Sequence, residues 1–504
     1  MKPGTVFLVG AGPGDVGLIT VRGKHLVDTA DAIVYDALAN RDLLPPDARE
    51  TGFPEIYFVG KRGGDSKSVP QNEINDLIVR LAREGKRVVR LKGGDPLVFG
   101  RGSEEAQALN DATVPFEIVP GVTAGLAAPA YAGIPVTHRG LATSVTFVTG
   151  HEDPAKASTQ TNWDALAKVG GTIVIYMGVN TLPSIVVALI DGGMPPGIPA
   201  AAIQWGTYPR QRTVTATLAT LAERAAAEGI AAPVVTVIGW SVVLRDEIKW
   251  FENRPLFGKQ IVVTRASDVP SIINQRLRDL GATVIEMPAM RIERLDLAPL
   301  RSELLMLHEY QWLIFTSQNA VAIFWEQLLG SGKDSRALAG LKVCAVGPAT
   351  AASLLEKGIA VDVIPERFVA EGLLDILSGF DLTDARFLYV TSEGSREVLP
   401  DGLAAMGASL KVVHAYRSSP DGRGALELKR SLESGVIDLV SFASASAVRG
   451  YIDAVGEDLS LRAPAASIGP VTSEAIRAAG IELRCEAEQS TIDGLVGAIE
   501  RTLA

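Results

Sequence analysis

The chain of 504 residues sets 48 Lys and Arg against 58 Asp and Glu, a formal charge of −10, with 47% hydrophobic and 21% charged residues. That length suits roughly three or four domains, each able to bury a core, and the composition excludes a disordered protein. No basic face dominates, which argues against a nucleic-acid partner, so an anionic substrate needs a local basic pocket rather than the field of the whole protein.

Cys344 and Cys485 give neither a metal spacing nor a disulfide framework, and Cys344, in the apolar run V-C-A-V, reads as core. The first strand begins almost at once, so no signal peptide fits, and no apolar run approaches the ~20 residues of a membrane span. A soluble, cytoplasmic protein with no membrane partner is expected.

Thr5 to Val9 reads as a buried strand, followed by G-A-G-P-G-D-V-G (Gly10–Gly17), a helix, and the strand Ala32–Tyr35 ending at Asp36. Gly12, Gly14 and Gly17 fit G-x-G-x-x-G with an acid about 20 residues later, the outline of a dinucleotide site. In the frame anchored at the strand end, however, Asp15 stands where the third glycine belongs, and Pro13 removes an amide that could face a pyrophosphate. An adenosyl ligand without phosphates fits these residues better than NAD.

A strand ending F-V-G-K-R-G-G (Phe58–Gly64) and a helix near Gln71–Glu84 lead to V-V-R-L-K-G-G-D-P-L-V-F-G-R-G (Val88–Gly102). This begins as a buried strand and breaks at Gly93 and Gly94, which let the backbone approach a ligand; Pro96 then biases Asp95 away from helix. The spacing alone also fits an ordinary strand-to-helix turn. The strand Phe116–Val119 follows, then P-G-V-T-A-G (Pro120–Gly125), where Thr123 is a natural cap for a helix of small residues. Strands and helices alternate again from Ser144 to about Trp240. Phe251–Gly258 (F-E-N-R-P-L-F-G) lacks periodicity and reads as a linker.

Beyond it the sequence repeats. I-V-V-T-R-A-S (Ile261–Ser267) returns as L-Y-V-T-S-E-G-S-R (Leu388–Arg396), F-T-S-Q-N-A-V (Phe315–Val321) as F-A-S-A-S-A-V (Phe442–Val448), and V-G-P-A-T (Val346–Thr350) as I-G-P-V-T (Ile468–Thr472). The near-constant spacing, longer than a solenoid period, means two similar α/β units built of strand, Ser/Thr/Gly turn and helix.

The motifs G-A-G-P-G-D, V-G-K-R-G-G, R-L-K-G-G-D-P-L-V-F-G-R-G, V-P-G-V-T-A and Y-A-G-I-P-V-T-H-R, continuing through V-T-G-H (Val148–His151), I-Y-M-G (Ile175–Gly178) and W-G-T (Trp205–Thr207), resemble the uroporphyrinogen-III C-methyltransferases over roughly residues 4 to 250. The resemblance implies a two-domain tetrapyrrole methylase fold, with S-adenosylmethionine as cofactor and the tetrapyrrole in the facing trough. It places cofactor contacts at Pro13, Gly93, Gly94, Asp95, Val98, Thr123, Ala124, Met177 and Gly206, a proton acceptor at Asp36 and a proton donor at Lys61. Asp36 also reads as a solvated strand-end acid, and Lys61 equally as a clamp for a substrate carboxylate. Because uroporphyrinogen is a polycarboxylate, Arg62, Arg90, Lys92, Arg101, Arg139 and Arg212 are candidate partners, though exposed arginine is also the ordinary surface residue. His138 and His151 lack metal-ligand spacing, so no metal is expected. A homodimer through this half is expected from the family alone.

Residues 259 to 504 resemble uroporphyrinogen-III synthase, which implies two flavodoxin-like α/β domains joined by two strands, here near Met287–Leu295 and Val412–Ser418. The expected layout is 1–250 for the methyltransferase (subdomains about 1–120 and 121–250), 251–258 for the linker, and 259–504 for the synthase, split into 259–289 plus 418–504 and 290–417. Thr264, Ser317, Ser392, Ser444 and Thr472 are candidate carboxylate-binding hydroxyls, with helix capping as the alternative. Tyr416 matches a tyrosine that the family places at its cleft. The synthase product is the methyltransferase substrate, so the expected protein is a bifunctional enzyme of sirohaem and cobalamin precursor synthesis. It would close hydroxymethylbilane to uroporphyrinogen III and methylate that twice to precorrin-2. The alternatives are a methyltransferase of the same fold on another substrate, and a C-terminal half that only binds tetrapyrrole.

Overall fold

The computed structural model describes residues 3–45, 53–60, 69–151, 161–264, 272–287, 290–395, 397–420 and 425–504. The chain divides into two compact units: Met1–Gln260 with Gln275–Val284 and Glu500–Ala504, and Ile261–Asn274 with Ile285–Ile499. Each is built on two five-stranded sheets.

The first sheet holds β1 (Val6–Gly10), β2 (Ala32–Tyr35), β3 (Glu55–Phe58), β4 (Val88–Lys92) and β5 (Phe116–Val119), all parallel, in the order β3-β2-β4-β1-β5. On one face Val6, Leu8, Val34 and Val88 meet Ile74, Ile78 and Leu81 of the helix Gln71–Arg83. On the other, Val9, Ile33 and Leu91 meet Leu26 and Val27 of the helix Val21–Asp28. Covered on both faces, these strands are apolar in runs rather than in alternation. The chain leaves β1 toward β2 on one side and leaves β4 toward β5 on the other. A crevice therefore opens between the carboxyl ends of β1 and β4, where a doubly wound sheet binds ligands.

The second sheet holds β6 (Val145–Thr149), β7 (Thr172–Tyr176), β8 (Pro199–Gln204), β9 (Arg212–Thr217) and β10 (Val234–Ile238), in the order β6-β7-β10-β8-β9. Here the strand–helix alternation breaks: β8 returns directly into β9 as a hairpin, and β10 runs antiparallel to both β7 and β8. Since β6 pairs parallel with β7, the carboxyl ends of β6, β7 and β8 come out at one end of the sheet. The stretch 251–258 is not a free tether. Phe251 and Leu256 are 2% and 0% exposed, and the Phe251 ring lies 4.7 Å from Tyr131 and 5.4 Å from Phe257. Among the described residues no helix is long and apolar enough to cross a membrane.

A third sheet holds β11 (Gln260–Val263), β12 (Thr283–Glu286), β18 (Leu439–Phe442), β19 (Ala465–Ser467) and β20 (Leu483–Glu486) in the order β12-β11-β18-β19-β20. Numbered within the sheet this is 2-1-3-4-5, the flavodoxin-like order that the resemblance to uroporphyrinogen-III synthase implied. The other sheet, β13 (Met290–Arg294), β14 (Trp312–Phe315), β15 (Lys342–Ala345), β16 (Arg386–Ser392) and β17 (Ser409–Pro420), runs β13-β17-β16-β14-β15. Its parallel strands keep the same 2-1-3-4 order, and β13 closes the edge antiparallel to β17. Cys344 is core, as its apolar strand implied: burial pushes the thiol up to about 12.

Candidate active sites

The crevice between β1 and β4 is made by backbone. Gly12 donates to the Gly94 carbonyl at 3.2 Å and accepts from the Gly94 N–H at 2.7 Å, so the two glycine turns form a single bridge. Behind it, a Cβ on Gly121 would stand 2.3 Å from the Gly94 carbonyl, so only glycine lets the β5 turn close here. Asp95 stiffens the turn by accepting from Gly121 N (3.0 Å) and Leu97 N (2.8 Å). Gly94 itself has φ +69°, with Ala124 N and Thr123 Cα 3.7 and 3.8 Å from where its Cβ would be. Gly94→Val should therefore abolish adenosyl-ligand binding in isothermal titration, since a β-branched residue resists this φ and its methyls fill the crevice.

The dinucleotide reading fails on geometry. The glycine loop does not open into a long helix: a single helical turn, Val16–Leu18, follows it, and the helix Val21–Asp28 starts at its own cap, Thr20. Asp15 occupies the Gly17 N–H at 2.8 Å, where a pyrophosphate oxygen would be received.

The second sheet supplies the opposite wall. Tyr131 donates to Asp15 (2.8 Å), Asp15 N donates to Thr207 Oγ1 (3.0 Å), and Gly206 faces Ala128 so closely that a Cβ would stand 2.3 Å from the alanine's own. Val98 is packed with Ala124, Ala128 and Tyr176, and Pro13 lies half-buried between Gly12 and Gly14. Of the predicted cofactor residues, Gly93, Gly94 and Asp95 form the turn after β4 and meet the turn of Thr123 and Ala124 after β5, while Met177 directly follows β7 and Gly206 lies just beyond β8. Five non-glycine residues in the loops after β4, β7 and β8 have left-handed backbone: Phe99 (φ 54°), Arg101 (58°), Met177 (54°), Trp205 (50°) and Thr207 (72°). Each costs about 1–3 kcal/mol and persists only where the surroundings over-determine it.

Thr123 is the N-terminal residue of the helix Ala124–Tyr131 but does not cap it with its own side chain. Its Oγ1 lies 2.7 Å from Tyr176 OH, and Gly125 N–H donates to that phenol at 2.7 Å. Tyr176 was legible only as part of I-Y-M-G, with no signal for this role. Asp36, at the end of β2, accepts from Leu38 N (3.0 Å), Ala39 N (3.2 Å) and, from the end of the neighbouring β4, Gly93 N (3.4 Å).

The basic residues divide. Arg90 and Lys92, expected as substrate partners, are buried at 3% exposure on the inner face of β4, both bound to Glu105 Oε1 (3.0 and 2.9 Å). This departs from the expectation: in a strand covered on both faces, both side chains are committed to Glu105 rather than standing on an open surface. Burial, then the Arg90 charge, lowers the Lys92 pKa, and Glu105 pulls it back. Arg101 is exposed and paired with Glu104, Arg139 is exposed, and Arg212 donates to the Glu228 carbonyl. Lys61 and Arg62 lie outside the described residues.

In the second unit two predicted residues meet: Tyr416 OH lies 2.8 Å from Ser317 Oγ, while Ser317 also caps the helix Gln318–Gly330 by accepting from Ala320 N. A register shift between β16 and β17 pairs Ser392 with Tyr416 and skips Ala415. Such a bulge re-aims a side chain. Ser444 caps the helix Ala445–Val455 and faces Ser446 (3.0 Å), and Ser392 lies at the end of β16. Thr264 and Thr472 depart from expectation: both are buried, Thr264 donating to the Ser441 carbonyl at 2.8 Å, so neither presents a hydroxyl to a substrate.

Residues 5–222 match the Tetrapyrrole (Corrin/Porphyrin) Methylases, and residues 271–497 match Uroporphyrinogen-III synthase HemD. The porphyrin biosynthesis protein HemD of Ruminiclostridium josui is 35% identical over 508 residues, covering 98% of this chain and 97% of that protein. An S-adenosyl-L-methionine-dependent uroporphyrinogen III methyltransferase of Methanosarcina barkeri is 49% identical over 48% of this chain and 94% of its own length. The crystal structure of uroporphyrin-III C-methyl transferase from Thermus thermophilus complexed with S-adenyl homocysteine, 36% identical, covers 48% of this chain and 100% of that one, with a TM-score of 0.40. The full-length likeness to the first and the separate matches of the two halves agree: the chain belongs to the tetrapyrrole methylases through its N-terminal half and to the uroporphyrinogen-III synthases through its C-terminal half.

Proposed function

We propose that this chain is a bifunctional enzyme that closes hydroxymethylbilane to uroporphyrinogen III with residues 259–504 and methylates that product twice, to precorrin-2, with residues 1–250. The observation that supports the methyltransferase is the glycine-bridged crevice between β1 and β4, where Asp15 fills the position a pyrophosphate would need. S-adenosylmethionine, when bound there, supplies an electrophilic methyl. Leu38, Leu97, Phe99 and Met177 expose apolar surface around the crevice, suited to the flat face of a macrocycle. An electron-rich pyrrole carbon needs little activation, so the protein's work is alignment, and Asp36 receives the proton that the macrocycle releases. Lys61 and Arg62 are proposed to hold substrate carboxylates.

In the synthase half most of the reactivity belongs to the substrate: loss of its hydroxyl leaves a stabilised cation, and the protein must fold the chain so that the last ring inverts. The Tyr416–Ser317 pair is proposed to assist hydroxyl loss. Tyr416→Phe keeps the ring in its core position, so stability should fall by only about 1 kcal/mol while closure to the type III isomer slows about tenfold. Stopped assays with isomer separation would check this.

Supplying hydroxymethylbilane with and without S-adenosylmethionine, then determining isomer and methyl count, tests the whole reading. Type III isomer without the cofactor and a dimethylated product with it are expected. Type I isomer alone, the product of uncatalysed closure, would leave the C-terminal half as a tetrapyrrole-binding module.

A further inference from the structure

Resting on the methyltransferase reading, we infer that Tyr176 is a positioning residue of the methyl-donor cleft, setting the distance between its two walls through one hydroxyl. The phenol stands on β7 of the second sheet, yet both of its hydrogen bonds go to the helix start that follows the first sheet: Thr123 Oγ1 at 2.7 Å and Gly125 N at 2.7 Å. A helix that begins with Thr normally caps itself, the threonine oxygen accepting from the second or third amide. Here that cap is surrendered, and the free amide is received across the cleft by Tyr176.

The exchange has a geometric consequence. Gly125 is held so close that a Cβ would stand 2.2 Å from the phenol oxygen, and Ala124 N lies 3.7 Å from the open side of Gly94. The same helix start therefore faces the Gly94 turn on one side and Tyr176 on the other. The next residue after Tyr176 is Met177, held at φ 54°, while the Phe99 ring, also at φ 54°, rests 4.9 Å from the Tyr176 ring. Three strained or glycine-bearing turns are thus referred to one side chain. Burial raises the phenol's pKa above its ordinary value, with Thr123 and Gly125 pulling the other way, so the hydroxyl keeps its proton. A neutral phenol that accepts from Gly125 N and shares a proton with Thr123 Oγ1 has both its donor and its acceptor capacity used by this one helix start.

Tyr176→Phe separates positioning from packing because the rings against Phe99 and Phe147 remain. In the full chain, S-adenosylhomocysteine should bind about tenfold more weakly by titration, and KM for S-adenosylmethionine should rise by about the same factor. KM for uroporphyrinogen III and kcat at saturating cofactor should stay within about twofold. Lower thermal stability with unchanged cofactor affinity would make Tyr176 merely structural and overturn the inference, as would an equal loss for both substrates. Wild-type protein that fails to bind S-adenosylhomocysteine would instead overturn the methyltransferase reading beneath it.

Discussion

Asp36→Asn should slow methylation of uroporphyrinogen III by about 10²–10⁴-fold while leaving S-adenosylhomocysteine binding within a few-fold of wild type. The substitution is unusually clean at this position. Oδ1 receives the three backbone amides of Leu38, Ala39 and Gly93, and an asparagine oxygen can receive the same three, so the turn that frames the crevice survives. The other oxygen faces Arg90 Nη2 at 3.7 Å and is partly exposed, and this is the edge that asparagine turns from acceptor to donor. A loss in that range is about 3–5 kcal/mol of transition-state stabilisation, more than a surface carboxylate provides. Single-turnover methylation with cofactor pre-bound gives the rate directly. A near-wild-type rate would make Asp36 a turn-forming residue, with the proton passing to water.

The glycine turns were legible because backbone constraints leave a direct mark in sequence. Gly12, Gly94 and Gly121 stand where no Cβ fits or where φ is positive, and the strands before them are apolar runs. That the second unit holds two similar parallel α/β layers was legible for a related reason, since the repeat carried its strand–turn–helix unit twice, whereas the flavodoxin-like order came only from the family resemblance. What the sequence concealed is which side chains cross between elements. Thr123 looks like a self-sufficient cap, and nothing local says that Tyr176 replaces it from another sheet. The β8–β9 hairpin was hidden likewise: both strands are apolar or β-branched, and only the tight Trp205–Gln211 connection distinguishes it from a strand–helix step.

Arg90 and Lys92 show how a correct pattern was read for the wrong chemistry. Val88, Val89 and Leu91 mark β4 as covered on both faces, so the cations interleaved with them could not point to solvent. The missing piece was an acid on the covering helix. Glu105 stands four residues before Leu109 on the helix Gly102–Asp111, and both are buried, so the i, i+4 spacing already placed it inward. In the second unit the same reasoning separates the hydroxyls: Thr264 follows directly on buried β11, whereas Ser317 and Ser444 begin exposed helix termini.

Glu105 is accordingly where the largest loss of stability is expected. It is 0% exposed, and its Oε1 accepts from Arg90 Nε, Lys92 Nζ and Gln71 Nε2 (3.3 Å), while Oε2 is buried without a hydrogen-bond partner. Glu105→Gln keeps the shape but removes the carboxylate that both buried cations bind, a loss of about 3–5 kcal/mol by the behaviour of broken buried pairs. Hydrogen exchange of the β4 amides in the full chain would read it locally, without assuming that the whole chain unfolds in one step. The pH dependence carries a sign. Lys92 already has a depressed folded pKa, and losing Glu105 removes a group that raises it. The unfolded state then binds more protons than the folded one between that depressed value and the ordinary lysine value of about 10.4, so stability rises with pH in that window. The deficit of Glu105→Gln should therefore shrink from neutral pH toward pH ~10 as Lys92 sheds its charge. Replacing Arg90, Lys92 and Glu105 together by Met or Leu should recover most of the stability, since apolar packing replaces buried ion clusters at little cost. Methylation should stay impaired, because Asp36 has lost the Arg90 guanidinium beside it. A triple variant that is both stable and fully active would show that the cluster neither supports Asp36 nor serves the crevice above it.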